Sequence, residues 1–200
     1  MFPFSKSDKL LIVAPHPDDE SLGTGGLLQR AFASQVPVRI LFGTHGENNP
    51  WAQRFWERRW KIGCAERAGW GERRRQEALN AISVLGGQPE CARFLNLPDQ
   101  GITGLLMKGD PELLSLFAEE IEEWRPTLVV ILAMRDAHPD HSALSVVLSM
   151  VLGSFVEQRG SAASLESLKG KTNAKSTERH RNKNLTCLQH LLPFKDTSYL

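Results

Sequence analysis

Cysteine is scarce. Cys64, Cys91 and Cys187 are the only three in 200 residues, an odd number with no CxxC spacing. That argues against a disulfide framework and reads as free thiols in a reducing compartment. Long apolar runs are also missing at the start of the chain. Leu10 to Ala14 spans five residues, too short for a signal-peptide core or a membrane span, so the expected home is the cytoplasm, with no membrane span. Charge of one sign is lacking as well: 24 Lys and Arg face 23 Asp and Glu, a formal net charge of +1. The balance argues against a nucleic-acid coat or an acidic tail, and any electrostatic preference must be local. Tyrosine occurs once, at Tyr199. What remains is a chain sized for one domain, able to bury a core without disulfides or a structural metal.

Leu10 to Ala14, ended by Pro15, has the unbroken apolar pattern of a strand buried on both faces in a parallel sheet. Helical spacing follows over about Leu22 to Ala33, then a β-branched strand from Val36 to Phe42 stopped by Gly43. Trp51 to Trp70 is aromatic and Arg-rich, and reads as helical in its first half. Arg74 to Leu85 lines Ala78, Leu79, Ala81, Ile82 and Leu85 on one helical face before Gly86-Gly87. Cys91 to Leu97 reads as a short strand. Asp110-Pro111-Glu112 supplies an N-cap, a first-turn proline and an acid for a helix to about Trp124. Thr127 to Ala133 is a second apolar strand, and Ala143 to Val156 is helical. Alternating strands and helices predict a Rossmann-like α/β three-layer sandwich with a mostly parallel sheet. Gly160 to Asn184, rich in Ser, Lys, Arg, Asn and Thr, reads as a mobile loop, and Leu185 to Leu192 as a short helix.

Two clusters carry the chemistry. Pro15-His16-Pro17-Asp18-Asp19-Glu20 follows the first strand, and Asp136-Ala137-His138-Pro139-Asp140-His141 follows the strand ending at Ala133. Open α/β sheets place ligand sites at such C-terminal strand ends, so neighbouring strands would bring the clusters together. Catalytic zinc takes three protein ligands and keeps a position open, a set that His16, Asp19 and His141 can supply. Asp18 is then placed to take a proton from water and His138 to protonate a departing amine. Capping of a helix end is the bland alternative for the acids at 18–20, but capping needs neither the histidine nor a second cluster at the end of another strand.

At this point the chain resembles the LmbE-like and PIG-L-like N-acetylglucosaminyl deacetylases. The carriers are PHPDDE at 15–20, TxGE at Thr44, Gly46 and Glu47, Arg74-x-x-Glu77, LPD at 97–99 and DxHPDH at 136–141, in matching order over about residues 8–150. The resemblance implies a Zn2+ enzyme that removes acetyl from an N-acetylglucosamine-type sugar conjugate. It implies His16, Asp19 and His141 as metal ligands, Asp18 as base, His138 as acid and Asp140 tuning that histidine. Glu47, Arg74 and Asp99 match the substrate side. It also implies residues 1–158 as the deacetylase domain, with 159–200 a polar loop and short C-terminal helix, a truncated end of that domain. Family members carry a further strand after the second histidine motif, for which the polar stretch here offers no counterpart. Some also carry an oxyanion-steadying tyrosine near that motif, whereas Tyr199 is far from it, which leaves zinc for that task. A non-catalytic zinc- or sugar-binding protein of the same fold, or a zinc amidase acting on a non-sugar amide, are the alternatives. The expected partner is a small amino-sugar conjugate, not a nucleic acid, with homo-oligomerisation left open.

Other features have plainer readings. Gly23-x-Gly25-Gly26 departs from GxGxxG and sits beside an acidic turn hostile to pyrophosphate, so it reads as room for a helix on the sheet. Trp51, Phe55, Trp56 and Trp60 read as a buried helical face. His45, His180 and His190 read as ordinary residues. Between Arg54 and Arg75, seven arginines and Lys61 face three glutamates, an excess that raises the expectation of an anionic group on the aglycone, with Arg74 as its holder.

Overall fold

A computed structural model describes residues 4–169 and 186–190 of the chain. Strand β1 (Leu10–Ala14) lies where the apolar run predicts, with all five residues buried. It pairs in parallel with β2 (Val38–Phe42) on one side and β4 (Leu128–Leu132) on the other. β3 (Ala92–Phe94) extends the β2 edge and β5 (Thr186–His190) the β4 edge, giving the order β3-β2-β1-β4-β5, all parallel. The chain builds outward from β1 in one direction and then, from β4, in the other. The reversal falls between β1 and β4.

Pleating sends alternate residues of the sheet into two cores. Leu10, Ile12, Ala14, Ile40 and Phe42 pack with Leu28 and Ala31 of α1 (Asp19–Ala33) and with Ala78 and Ile82 of α3 (Cys64–Val84). Leu11, Val13, Leu41, Val129 and Ile131 pack on the other face. There they meet Ile102 of α4 (Ile102–Lys108), Phe117 of α5 (Pro111–Trp124) and Val147 of α6 (Pro139–Lys169). Each fully buried Leu, Ile or Phe removes enough apolar surface from water to contribute roughly 1.5–3 kcal/mol. α5 begins as its sequence predicts, with the Asp110 side chain accepting from the Glu112 N–H.

Several expectations change. α3 starts ten residues before Arg74, at Cys64, because Glu66 bonds back to the Gly63 N–H and opens the helix early. α4 was not foreseen, being a short helix inside a loop. The apolar residues of Leu185 to Leu192 predict a short helix, yet Thr186–His190 is a strand, and it hydrogen-bonds to the otherwise open edge of β4. The further strand thought missing is therefore present. Residues 160–169 continue α6, while the rest of the expected loop, 170–184, and Tyr199 lie outside the described residues.

The aromatic helix face is not core. On α2 (Pro50–Glu57) and just after it, Trp51, Phe55, Trp56 and Trp60 are 76%, 82%, 63% and 86% exposed. Gln53 is the residue α2 buries, its amide bonding the Glu66 carbonyl. A Cβ at Gly23 or Gly26 would meet nothing within 4 Å, so these glycines are not making room for packing. No helix among the described residues is long and apolar enough to cross a membrane.

The two described thiols differ in environment. Cys64 is exposed, whereas burial pushes the Cys91 thiol up to about 11. A raised thiol pKa means little thiolate at neutral pH. Brief alkylation at neutral pH is therefore expected to label the Cys64 peptide first, with Cys91 joining as the pH approaches that value or in denaturant, read by peptide mass spectrometry. Equal labelling of both at neutral pH would contradict the packing around Cys91.

Candidate metal and hydrolytic site

Both clusters sit where a parallel strand gives way to a helix. The β1–β2 ladder continues past the strand ends: Gly43 N–H donates to Ala14 O, and Thr44 N–H and its hydroxyl both donate to Pro15 O. Thr44 is thus a clamp that fixes the carbonyl just before His16. On the β4 side, Asp136 Oδ1 accepts from the His138 N–H, closing a tight turn before Pro139 starts α6. Asp19 and Asp140 stand in the first turns of α1 and α6, where the helix dipole favours negative charge. Since β1 and β4 are adjacent, the two helix starts face one another.

Three donor atoms converge. His16 Nδ1 lies 3.2 Å from His141 Nε2. Asp19 Oδ2 lies 3.4 Å from the first and 3.3 Å from the second. Each imidazole turns its other nitrogen toward carboxylate. His16 Nε2 is 3.1 Å from Asp99 Oδ1 and 3.6 Å from Asp140 Oδ2, and His141 Nδ1 is 3.2 Å from Asp136 Oδ2. These are ion-pair distances without hydrogen-bond alignment, so both nitrogens are buried and lack a hydrogen-bond partner. His138 stands over the triangle, its ring centroid 4.6 Å from that of His16 and 4.8 Å from that of His141. Ligand atoms of His16, His138 and His141 form one group able to hold a metal, and those of His16, Asp99 and Asp140 another.

Charge is concentrated to match. Burial works against a charged His16, but the carboxylates of Asp140, Asp19 and Asp99 outweigh it and hold its pKa up to about 11. Burial opposes charge on Asp19 too, yet His141 and His16 bring its pKa well below the usual carboxylate range. His141 is raised by Asp19 and Asp136 against its own burial. His138 is lowered by burial and by the charges of His16 and His141. Carboxylates this close to two imidazoles favour positive charge at the centre of the site.

Asp18 occupies a strained position, with φ 121° and ψ −29°. Two contacts impose it: the Glu20 carboxylate accepts from the Asp18 N–H at 2.9 Å, and Arg74 donates to Pro17 O and to Asp18 Oδ2, the latter at 2.9 Å. Burial raises Asp18 above its ordinary pKa, with Arg74 opposing. Gly46, at φ 65°, brings the TxGE loop up against Arg74 and Pro17, where a Cβ would stand 3.5 Å from each.

Of the residues expected on the substrate side, Glu47 and Asp99 are engaged by the protein. Glu47 Oε1 accepts from the Asp99 N–H, and Asp99 Oδ2 accepts from the Asn48 N–H. Asp140 is fully buried, accepting from the Gln100 and Ile102 N–H groups. Its contact with His138 runs through its own N–H, which donates to His138 Nδ1 at 3.3 Å. Arg74 pairs with Asp18, and Arg59, Arg73 and Arg75 pair with Glu66, Glu77 and Glu72. The case for an anionic aglycone therefore loses Arg74, its expected holder. Sequence reasoning missed two parts: Asp136 against His141, although it stands inside the quoted motif, and buried Glu20 as the support of Asp18. His45 is an ordinary residue, its Nε2 2.6 Å from Asn96 Oδ1 and its ring stacked on Phe94.

Comparison with known proteins finds relatives of both sequence and fold. A family model described as PIG-L, GlcNAc-PI de-N-acetylase, matches residues 11–152. A 1D-myo-inositol 2-acetamido-2-deoxy-alpha-D-glucopyranoside deacetylase of Rhodococcus jostii is 32% identical over 170 residues, covering 77% of this chain and 55% of the relative. Among solved structures, the conserved protein TT1542 from Thermus thermophilus is 32% identical, with a TM-score of 0.56 over 73% of this chain and 56% of that one. The 4-carboxy-2-hydroxymuconate hydratase GalB of Pseudomonas putida KT2440, at 21% identity, has a TM-score of 0.58 over 72% of this chain and 55% of its own, a likeness of fold alone. The chain spans about half the length of the curated relatives it matches.

Strain at Asp18 has a direct test. Glycine accepts a positive φ that alanine does not, and both substitutions remove the Arg74 pair equally. Even after glycine's greater unfolded-state entropy, Asp18→Gly is expected to exceed Asp18→Ala in unfolding free energy by about 1 kcal/mol. Urea denaturation of the two variants reads the difference, and a more stable alanine variant would mean the loop relaxes without its aspartate.

Proposed function

The chain belongs to the PIG-L family, GlcNAc-PI de-N-acetylases, and from that premise we propose that it is a zinc-dependent hydrolase removing acetyl from an N-acetylglucosamine-type sugar conjugate. The observation that carries the reading is the triangle of His16 Nδ1, Asp19 Oδ2 and His141 Nε2, with edges of 3.2, 3.3 and 3.4 Å. Tetrahedral zinc, with ligands at about 2.0–2.1 Å, sets neighbouring ligand atoms roughly 3.3 Å apart. The donor set of two imidazoles and one carboxylate suits it, and the nitrogens facing away meet Asp99, Asp140 and Asp136, as ligand histidines do when an outer carboxylate orients them. The alternative set of His16, Asp99 and Asp140 is less favoured, because it meets the Nε2 of His16, which faces away from His141, and brings one imidazole rather than two.

Zinc, when bound, supplies Lewis-acid chemistry, polarising the amide carbonyl and acidifying water. The chain's own residues do the rest. Asp18 takes the proton as water oxygen bonds to the acetyl carbon, and burial, by raising its pKa, makes it the better base. His138 gives a proton to the sugar nitrogen as the C–N bond breaks, releasing acetate and the free amine. Arg74 holds Pro17 and Asp18, so its effect on substrate acts through the base. Glu47 and Asp99 support His16 from behind. The N-acetylglucosaminide substrate class rests on the name of the family and on that of the Rhodococcus deacetylase. The non-catalytic alternative drew on a missing strand after the second histidine motif, and β5 removes that support.

Metal content and turnover are expected to separate cleanly. His16→Ala and His141→Ala should each lose most bound zinc, measured by elemental analysis after desalting. Asp18→Asn should keep its zinc and lose about a hundredfold or more in acetate release from an N-acetylglucosaminide. Undiminished turnover in Asp18→Asn would remove it from the base role, and full zinc content in both histidine variants would remove the metal assignment.

A further inference from the structure

Beside Asp18, outside the metal triangle, α1, α2 and α3 enclose a cleft of about 400 Å³, within the range of small-molecule sites. Its apolar lining comes from Leu22, Ala52, Trp56, Trp70, Ala78 and Ala81. Every charged residue on its wall is already matched. Arg73 Nε donates to Glu77 Oε1 at 2.9 Å, Arg74 pairs with Asp18 at 2.9 Å, and Glu20 accepts from the Asp18 N–H and the Ser21 hydroxyl. No wall charge is left over to hold a phosphate or carboxylate. The Arg73 guanidinium instead lies over the Trp56 and Trp70 rings, 5.0 and 5.4 Å from their centroids. Leu22 and Trp56 stay 80% and 63% exposed, a large cost in hydrated apolar surface that a ligand would relieve.

We propose that this cleft is the aglycone subsite of the reaction assigned above, and that it selects a flat apolar or aromatic aglycone over an anionic or purely hydrophilic one. The inference rests on the deacetylase reading for what lies at its mouth. A sugar whose acetamido group meets Asp18 has its remaining substituents within reach of the cleft, since Pro17 and Asp18 belong to both. Rigid aromatic walls hold such a group at little entropic cost. Binding energy from this non-reacting part would help position the amide against the base.

The test uses calorimetry on the zinc-loaded protein with methyl and phenyl 2-amino-2-deoxyglucosides, which have no acetyl group to lose. The phenyl glycoside is expected to bind about tenfold more tightly, the scale set by burying one ring's added carbons in part. Trp56→Ala, an exposed position whose loss leaves the core intact, should erase the preference, as should Ala81→Phe, which fills the cleft. Trp51→Ala, also exposed on α2 but off the wall, should keep it. A preference that survives both cleft variants, or that the wild type never shows, overturns the subsite. Acetate release from methyl N-acetylglucosaminide is measured alongside. If that substrate is inert while the phenyl preference holds and falls with Trp56, the reaction has been misassigned and the cleft has not.

Discussion

The parallel pairing of β1 with β4 is the constraint on which the site depends. His16 and His141 are separated by 125 positions, and their motifs meet because each follows one of two adjacent strands at the point where the sheet reverses its direction of growth. Connections leave such a point toward opposite sides, which opens a crevice at the carboxyl ends of the strands. Here the crevice is walled by two helix N-termini, those of α1 and α6, each bringing its acids within the first turn. Without that register, the same residues would be two unrelated caps on opposite parts of a sheet.

Convergence has an electrostatic cost. Asp19, Asp99, Asp136 and Asp140 crowd two imidazoles in a region that is largely buried, and their negative charge raises the pKa of His16. Burying that many carboxylates is tolerable only if each is matched. Backbone N–H groups of Gln100 and Ile102 serve Asp140, and that of Asn48 serves Asp99. A structural ion-pair network would match such carboxylates with Lys or Arg; this one turns ring nitrogens and one carboxylate oxygen inward, an arrangement suited to a metal. The fold alone does not dictate the reaction, since a hydratase has the same architecture; the argument for amide hydrolysis lives in Asp18, His138 and the triangle between them.

Much of this was legible in the residues, and the reasons differ by element. β1 and α5 are written in local chemistry, an unbroken apolar run and an Asp-Pro-Glu start, so their bounds follow from sequence. The His and Asp motifs stood out because imidazole and carboxylate together at two strand ends have no cheaper structural explanation. Partnership was not legible: that Asp99 lies against His16, that Glu47 holds the Asp99 N–H, or that Asp136 backs His141 depends on distances across the fold. Exposure of Trp51, Phe55 and Trp60 defied the hydrophobic pattern because a helix of eight residues, tied down through the polar Gln53, has no need to turn its aromatics inward. Apolar periodicity reports which residues share a face, not whether anything covers that face.

Arginine content misled in a related way, and its resolution bears on selectivity. Seven arginines between 54 and 75 suggest an anion site when counted along the chain. In the fold, Arg59, Arg73 and Arg75 each meet a glutamate from the same region, and Arg74 is consumed by Asp18 and Pro17. Two of the glutamates, Glu72 and Glu77, stand one helical turn from their partners, the spacing at which side chains on a helix naturally meet. A guanidinium engaged this way presents its flat face rather than its donors, and Arg73 presents it to two indole rings. The wall beside Asp18 therefore carries paired charges, with Trp56 and Trp70 as its aromatic surface. On the proposed deacetylase reading this is a consistent choice: an unpaired arginine next to the reacting amide would retain acetate, whereas aromatic rings would hold a neutral remainder of the sugar and leave acetate free to go.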